Sequence, residues 1–275
     1  MSQLDSGTFQ QVKDLVLSGY HLNDIPGLAC PTALLPQNTS IESLERFAYE
    51  RFRFRGAMDT TSIDDFVRYS VGYAEEEEKA RCFIDADNML ARSIFNIGTL
   101  YNPGHADNVA SIKLKKTAPF RALLAINGDH LNQKQIAEWL EDWSDYLTAF
   151  DADGQTMKIA QAAQAVRRVT IQQTNAADHE DGDFSGKKSL MQSIEASSKD
   201  VMPVAFEFKC VPYEGLGERR FSLRNSLLKS SDPVFVLRIV QLEAQEEAIA
   251  NEFRDLLTGK FDGKPVETFI GNFKA

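Results

Sequence analysis

Cysteine is scarce in this chain. Cys30, Cys82 and Cys210 are odd in number and far apart, which excludes a disulfide framework or a cysteine-built zinc site and leaves small buried apolar residues, or at most one accessible thiol. The four histidines, His21, His105, His130 and His179, never pair at metal-ligand spacing. Long apolar runs are missing too: none approaches the ~20 residues that cross a bilayer. The start, Met1-Ser2-Gln3-Leu4-Asp5, lacks the basic-then-apolar layout of a secretory signal. The expectation is therefore no membrane association and a cytoplasmic location.

Catalytic signatures are absent as well. There is no Gly-x-Ser-x-Gly elbow, no His-Glu-x-x-His and no dinucleotide fingerprint. The run from Gly182 to Ser189 is one residue short of a phosphate loop and has Lys188 where a hydroxyl should stand. Asp151-Ala152-Asp153-Gly154 starts like a calcium loop but lacks the closing glutamate. No catalytic residue, cofactor or metal ligand is assigned, and a non-enzyme is the favoured reading.

What is there is the composition of an ordinary soluble protein: 275 residues, 43% hydrophobic and 25% charged, enough for one or two domains. Forty acidic against thirty basic residues give a formal charge of −10, so nucleic acid would be repelled unless the basic residues gather on one face.

The chain is organised around Met202 to Leu257. Val204, Phe206, Phe208 and Cys210 alternate with Ala205, Glu207 and Lys209, Tyr213 to Gly217 supplies a turn, and Arg219 to Leu227 alternates again, so a hairpin is predicted. Val234 to Val240 is almost continuously apolar, as expected of a central strand covered on both faces, and a long amphipathic helix follows. Upstream, Phe9 to Leu17 has helical spacing ended by Ser18-Gly19, and Pro26, Pro31 and Pro36 mark an irregular arm. A short helix is predicted from Ile41, capped by Ser40, and another after Thr61 or Ser62. Strands follow around Arg81 to Asn88, Leu90 to Asn96 and Val109 to Lys116, then a helix started by Thr117 and Pro119 and stopped by Asn127-Gly128. Asn132 to Phe150 reads as one long helix with Ile136, Trp139, Leu140, Trp143, Tyr146 and Leu147 on its buried face, and Gln155 to Ile171 as another with an alanine stripe. Asn175 to Lys188 is an exposed acidic loop, and Val266 to Phe273 a last strand.

Three groups of residues invite a functional reading. Glu138, Glu141, Asp142 and Asp145 lie opposite the tryptophans of the long helix, in water, and form a candidate protein-binding face rather than a catalytic pocket. Arg51-Phe52-Arg53-Phe54-Arg55 alternates charge and ring. As a strand it would send three guanidinium groups one way and two phenyl rings the other, a candidate nucleic-acid face, or simply the solvated side of a half-buried strand. Arg219, Arg220, Arg224 and Arg238 would meet an acidic partner or pair internally with Glu207, Glu214 and Glu243, the second being preferred.

Phe52 to Gly56, Asp65 to Tyr69, Asn102 to Asp107, Ile136 to Asp142 and Val211 to Gly215, read in that order, resemble the YfdQ-like family of phage and prophage proteins of unknown function over nearly the whole chain. The resemblance implies a phage accessory context, in which proteins act on DNA metabolism or on host defence, and carries no functional residue with it. The expected fold is α+β, mainly antiparallel sheet with packed amphipathic helices. Residues 1–40 form a helix and irregular arm, 41–200 an α+β core region, and 201–275 a hairpin, strand and helix unit sharing that core. The expected function is non-catalytic binding of a host protein by a self-associating chain. The alternatives are a nucleic-acid-binding accessory protein of phage DNA metabolism and a metal-dependent nuclease or hydrolase.

Overall fold

The structure, a computed structural model, describes residues 6–21, 47–51, 53–169, 201–228 and 233–274. It divides into an N-terminal unit, Met1–Phe54, and a body, Arg55–Ala275. In the N-terminal unit a helix, α1 (Ser6–His21), runs on through Ser18-Gly19, which was expected to end it. The single glycine there costs the helix about 1 kcal/mol, and serine less, too little to stop it there. The helix predicted from Ile41 lies outside the described residues.

The body is α+β, as expected, with two sheets among the described residues. The first has strand order β1-β4-β3-β2-β11: β1 (Gly56–Thr60), β2 (Ala80–Asp85), β3 (Leu90–Ile94), β4 (Asn108–Lys113) and β11 (Val266–Ile270). Its two outer pairs, β1 with β4 and β2 with β11, are parallel and the inner pairs antiparallel. The second has order β5-β10-β9-β8-β6-β7: β5 (His130–Asn132), β6 (Leu147–Phe150), β7 (Thr156–Met157), β8 (Ala205–Cys210), β9 (Arg219–Leu228) and β10 (Val234–Ile239), antiparallel throughout.

Alternation builds these strands. Along β9, Phe221, Leu223, Asn225 and Leu227 are buried while Arg220, Ser222 and Arg224 are exposed, the period-two pattern of a sheet with one dry face. The dry faces are covered by helices. On the first sheet lie α2 (Ile63–Tyr73) and α6 (Leu242–Phe261), the latter burying Ile249, Phe253, Leu257 and Phe261 at four-residue intervals. Phe66 of α2 meets Phe261 edge-on at 6.0 Å. Each cap uses its own chemistry: Ser62 accepts from the Asp65 N–H, and Thr117 from the Phe120 N–H at the start of α3 (Ala118–Ile126). At the other end of α3, the Asn127 side chain accepts from the Ile239 N–H at 2.8 Å, tying helix to sheet. Buried apolar residues of both sheets form one continuous cluster.

Several local expectations are corrected. The long helix from Asn132 stops early: α4 is Gln133–Asp142, a single 3-10 turn covers Ser144–Tyr146, and Leu147–Phe150 is strand β6. The Asn132/Gln135 capping box starts α4 well, but its last turn carries no basic residue and ends on Glu141-Asp142, which oppose the helix dipole. Leu147 and Ala149 then bury alternately against β8, so cross-strand pairing wins. The helix expected from Gln155 begins only at Ile159, as α5 (Ile159–Arg168), behind β7. Of the run Arg51 to Arg55, expected as a strand, the described residues Arg51, Arg53, Phe54 and Arg55 lie outside any strand: the ladder begins at Gly56, where pairing with Asn108 first becomes available. And β10, expected at the centre, lies beside the short edge strand β5. It is apolar because Phe235, Val236 and Leu237 are all buried.

Candidate binding surface

The end of α4 is a corner where aromatic and acidic side chains come together. Phe208, pointing inward from β8 and fully buried, is the floor. Three rings pack on it: Trp139 at 5.8 Å, Tyr146 at 5.7 Å and nearly coplanar, and Trp143 at 6.4 Å. Trp143 and Tyr146 also touch each other at 5.7 Å. The rings are only partly covered, and Tyr146 remains 37% exposed. Trp139 buries its indole N–H without an acceptor among the described residues.

All four predicted acids, Glu138, Glu141, Asp142 and Asp145, are exposed around this corner, but they are not equivalent. Glu141 is bidentate with Arg167 of α5, one contact being 2.8 Å, and that hydrogen bond and charge hold its carboxyl below the ordinary range and raise the arginine. Glu138 lies 3.7 Å from Lys134, one turn back. Asp142 and Asp145 make no ion pair among the described residues. Sequence spacing set the acids opposite the tryptophans. Because the helix ends at Asp142, the following turn instead sets Asp142 and Asp145 on either side of Trp143 along the chain. Phe208 and Tyr146 were the residues that sequence spacing did not single out for this surface. The warning lay in Glu141-Asp142, a poor helix C-terminus.

The basic residues fall in different parts of the chain. Arg51 and Arg53 precede Phe54, the last residue of the N-terminal unit, while Arg55 opens the body; Phe54 is exposed and Phe52 lies outside the described residues. On the second sheet, Arg219 donates to Glu252 of α6 at 2.7 Å and to the Ala248 carbonyl, and Arg220 lies 3.5 Å from Glu207. Internal pairing with Glu207 was expected; Glu214 instead meets Lys115 at 3.6 Å. Arg224 and Arg238 stand directly opposite each other across β9 and β10 on the exposed face. The acidic loop 175–188 lies outside the described residues. No group of three His, Cys, Asp or Glu side chains placed to hold a metal ion occurs among the described residues, and no described helix is long and apolar enough to cross a membrane.

A family model for uncharacterized conserved proteins, DUF2303, matches residues 21–273. The chain belongs to that family. The match takes in both sheets, the α4 corner and the arginines of β9 and β10, so all of these surfaces lie within the family's common region. No curated protein and no solved structure matches the chain.

Proposed function

We propose that this DUF2303 chain is a phage accessory protein, of the YfdQ-like kind its sequence resembles, that acts without chemistry of its own by binding a host protein of defence or DNA metabolism, as a homo-oligomer. The observation that supports this is the α4 corner: Trp143 and Tyr146 packed on Phe208, half-covered, with Asp142 and Asp145, which make no ion pair among the described residues, on either side of Trp143 in the chain. Tryptophan and tyrosine in a rigid, partly dry patch ringed by charge are what anchors a protein interface. A partner offering arginine would meet both the ring faces and the carboxylates.

A second reading, a nucleic-acid-binding accessory protein, is favoured by the Arg224/Arg238 pair with Arg220 and Lys209 on the same exposed face of the second sheet. Two guanidinium groups side by side suit a phosphate. The metal-dependent nuclease or hydrolase has no comparable observation behind it among the described residues.

The test is capture from host lysate with the wild-type chain and with Asp142→Lys/Asp145→Lys/Tyr146→Ala, both checked to be fully folded at the temperature of the assay. A stoichiometric host protein retained by wild type and weakened about tenfold or more in the variant, the equivalent of ~1.4 kcal/mol, supports the binding reading. Equal capture by the two proteins overturns it. A salt-dependent shift of labelled single-stranded DNA, lost in Arg224→Ala/Arg238→Ala and untouched by the corner variant, transfers the function to the second reading.

A further inference from the structure

Among the described residues the first sheet ends at β1 with no strand beyond it, and that edge borders a groove. Strand β1 pairs only with β4 among the described residues. The Gly56 N–H donates to the Asp107 carbonyl, so the backbone groups of Gly56, Met58 and Thr60 face β4. By the alternation of a strand, the N–H and C=O of Ala57 and Asp59 point the other way, off the sheet. Such edges are normally blunted by charge, proline or a bulge; Gly56-Ala57-Met58-Asp59-Thr60 has no proline and pairs with β4 in unbroken register, and its one charge is Asp59.

Alongside lies α2, and between it and β1 runs a groove of about 450 Å3. Its walls are Met58, Asp59 and Thr60 on one side and Asp65, Arg68, Tyr69, Gly72 and Tyr73 on the other. The helical residues fall at i, i+3, i+4, i+7 and i+8, one continuous face. Tyr69 and Tyr73 stack at 4.3 Å and make the groove's wall largely aromatic. Strand and helix are matched in length: five residues of strand and eleven of helix both span about 16–17 Å.

Gly72 is the second, independent sign. It sits inside the last turn of α2, where glycine is one of the poorest helix formers. A Cβ built on it would meet no atom within 4 Å, so packing does not require glycine there. Glycine there leaves this part of the helical wall without a side chain.

We propose that the groove between β1 and α2 is a peptide-binding site, in which an extended segment of a partner protein adds as a strand to the free edge of β1 and sets alternate apolar side chains against Met58, Tyr69 and Tyr73. The backbone of Ala57 and Asp59 supplies the hydrogen bonds, and the groove supplies specificity, the division of labour of strand-addition recognition. The charges lining the site, Asp59 and Asp65 against Arg68, which is itself paired with Asp65, leave it acidic and select a segment carrying a basic residue. A second copy is a poorer occupant: its own β1 would bring glycine, alanine and Asp59 to an aromatic, acidic groove. This site is separate from the α4 corner, and the two are tested by different substitutions.

The probe is a random nonapeptide library selected against the full chain and counter-selected against Gly72→Leu. Leucine is the better helix former, so the variant melts at or above the wild-type temperature while its side chain fills the groove. Selected peptides are expected to alternate apolar residues around a lysine or arginine, and to bind the variant about tenfold or more weakly. N-methylation at every second amide should abolish binding, and methylation at the intervening amides should leave it. A library that yields no peptide distinguishing the two proteins overturns the proposal, as does a methylation scan without alternation. A wild-type dimer that Gly72→Leu dissolves overturns it in favour of a second copy.

Discussion

Phe208→Ala should be the most informative single substitution in the body, because both tryptophans of the chain pack on that ring. Removing a fully buried phenylalanine costs about 3–5 kcal/mol, the lost transfer free energy plus a cavity. Here the three ring contacts push the figure up, since each aromatic pair is worth about 0.5–1.5 kcal/mol beyond its area. The half-exposed position of Trp139, Trp143 and Tyr146 pulls it down, because the rings can sink partly into the gap. The balance is ~4 kcal/mol, a large part of the about 5–15 kcal/mol that holds a domain together. At about 2–4 °C per kcal/mol for a body of this size, the melting temperature should fall by roughly 8–16 °C. Differential scanning calorimetry reads that fall, and tryptophan emission reads the cause, shifting because both indoles lose the ring they pack on. Tyr146→Ala, at 37% exposure, should cost only about 1 kcal/mol. The double variant should recover a coupling of about 0.5–1.5 kcal/mol. A fall below about 4 °C with unchanged emission would show that the corner is not built on Phe208, and the case for a pre-formed aromatic binding surface would go with it.

Two further outcomes follow from the packing. Asn127→Ala leaves the Ile239 N–H without its 2.8 Å acceptor and should cost about 1–3 kcal/mol in urea denaturation at unchanged m-value, with Asn127→Asp recovering most of it; equal midpoints for all three proteins refute the tie. Burial pushes the Cys82 thiol up to about 12, and burial with the nearby Glu218 charge does the same for Cys210, against an ordinary value of 9.0. Both should resist a thiol reagent at mildly alkaline pH until the protein is unfolded. Since the folded state holds these protons and the unfolded state releases them, their contribution is full below pH 9.0 and is lost as pH rises toward about 12, visible as a falling urea midpoint.

Residues close together along the chain carried the legible part of this fold. The Thr117 and Ser62 caps, the stop at Asn127-Gly128, the β8–β9 hairpin around Tyr213 to Gly217 and the α+β class all follow from period, cap and turn chemistry, which act over a few residues. The candidate acids were legible as exposed, but their setting was not. That Glu141 would be held by Arg167, and that Asp142 and Asp145 would flank Trp143 in a turn, depends on where α4 ends.

Sequence alone settled which faces must be dry, because an apolar side chain repeated every second or every third to fourth residue has only one low-energy place to go. Tertiary structure decided the rest. Leu147 to Phe150 could continue a helix or join a sheet, and the choice fell to a partner strand more than fifty residues away in the chain. That β1 stands beside α2 at the end of its sheet, with no further strand among the described residues, is likewise a matter of which strands pair, and strand order is set by contacts between distant segments that no local pattern records.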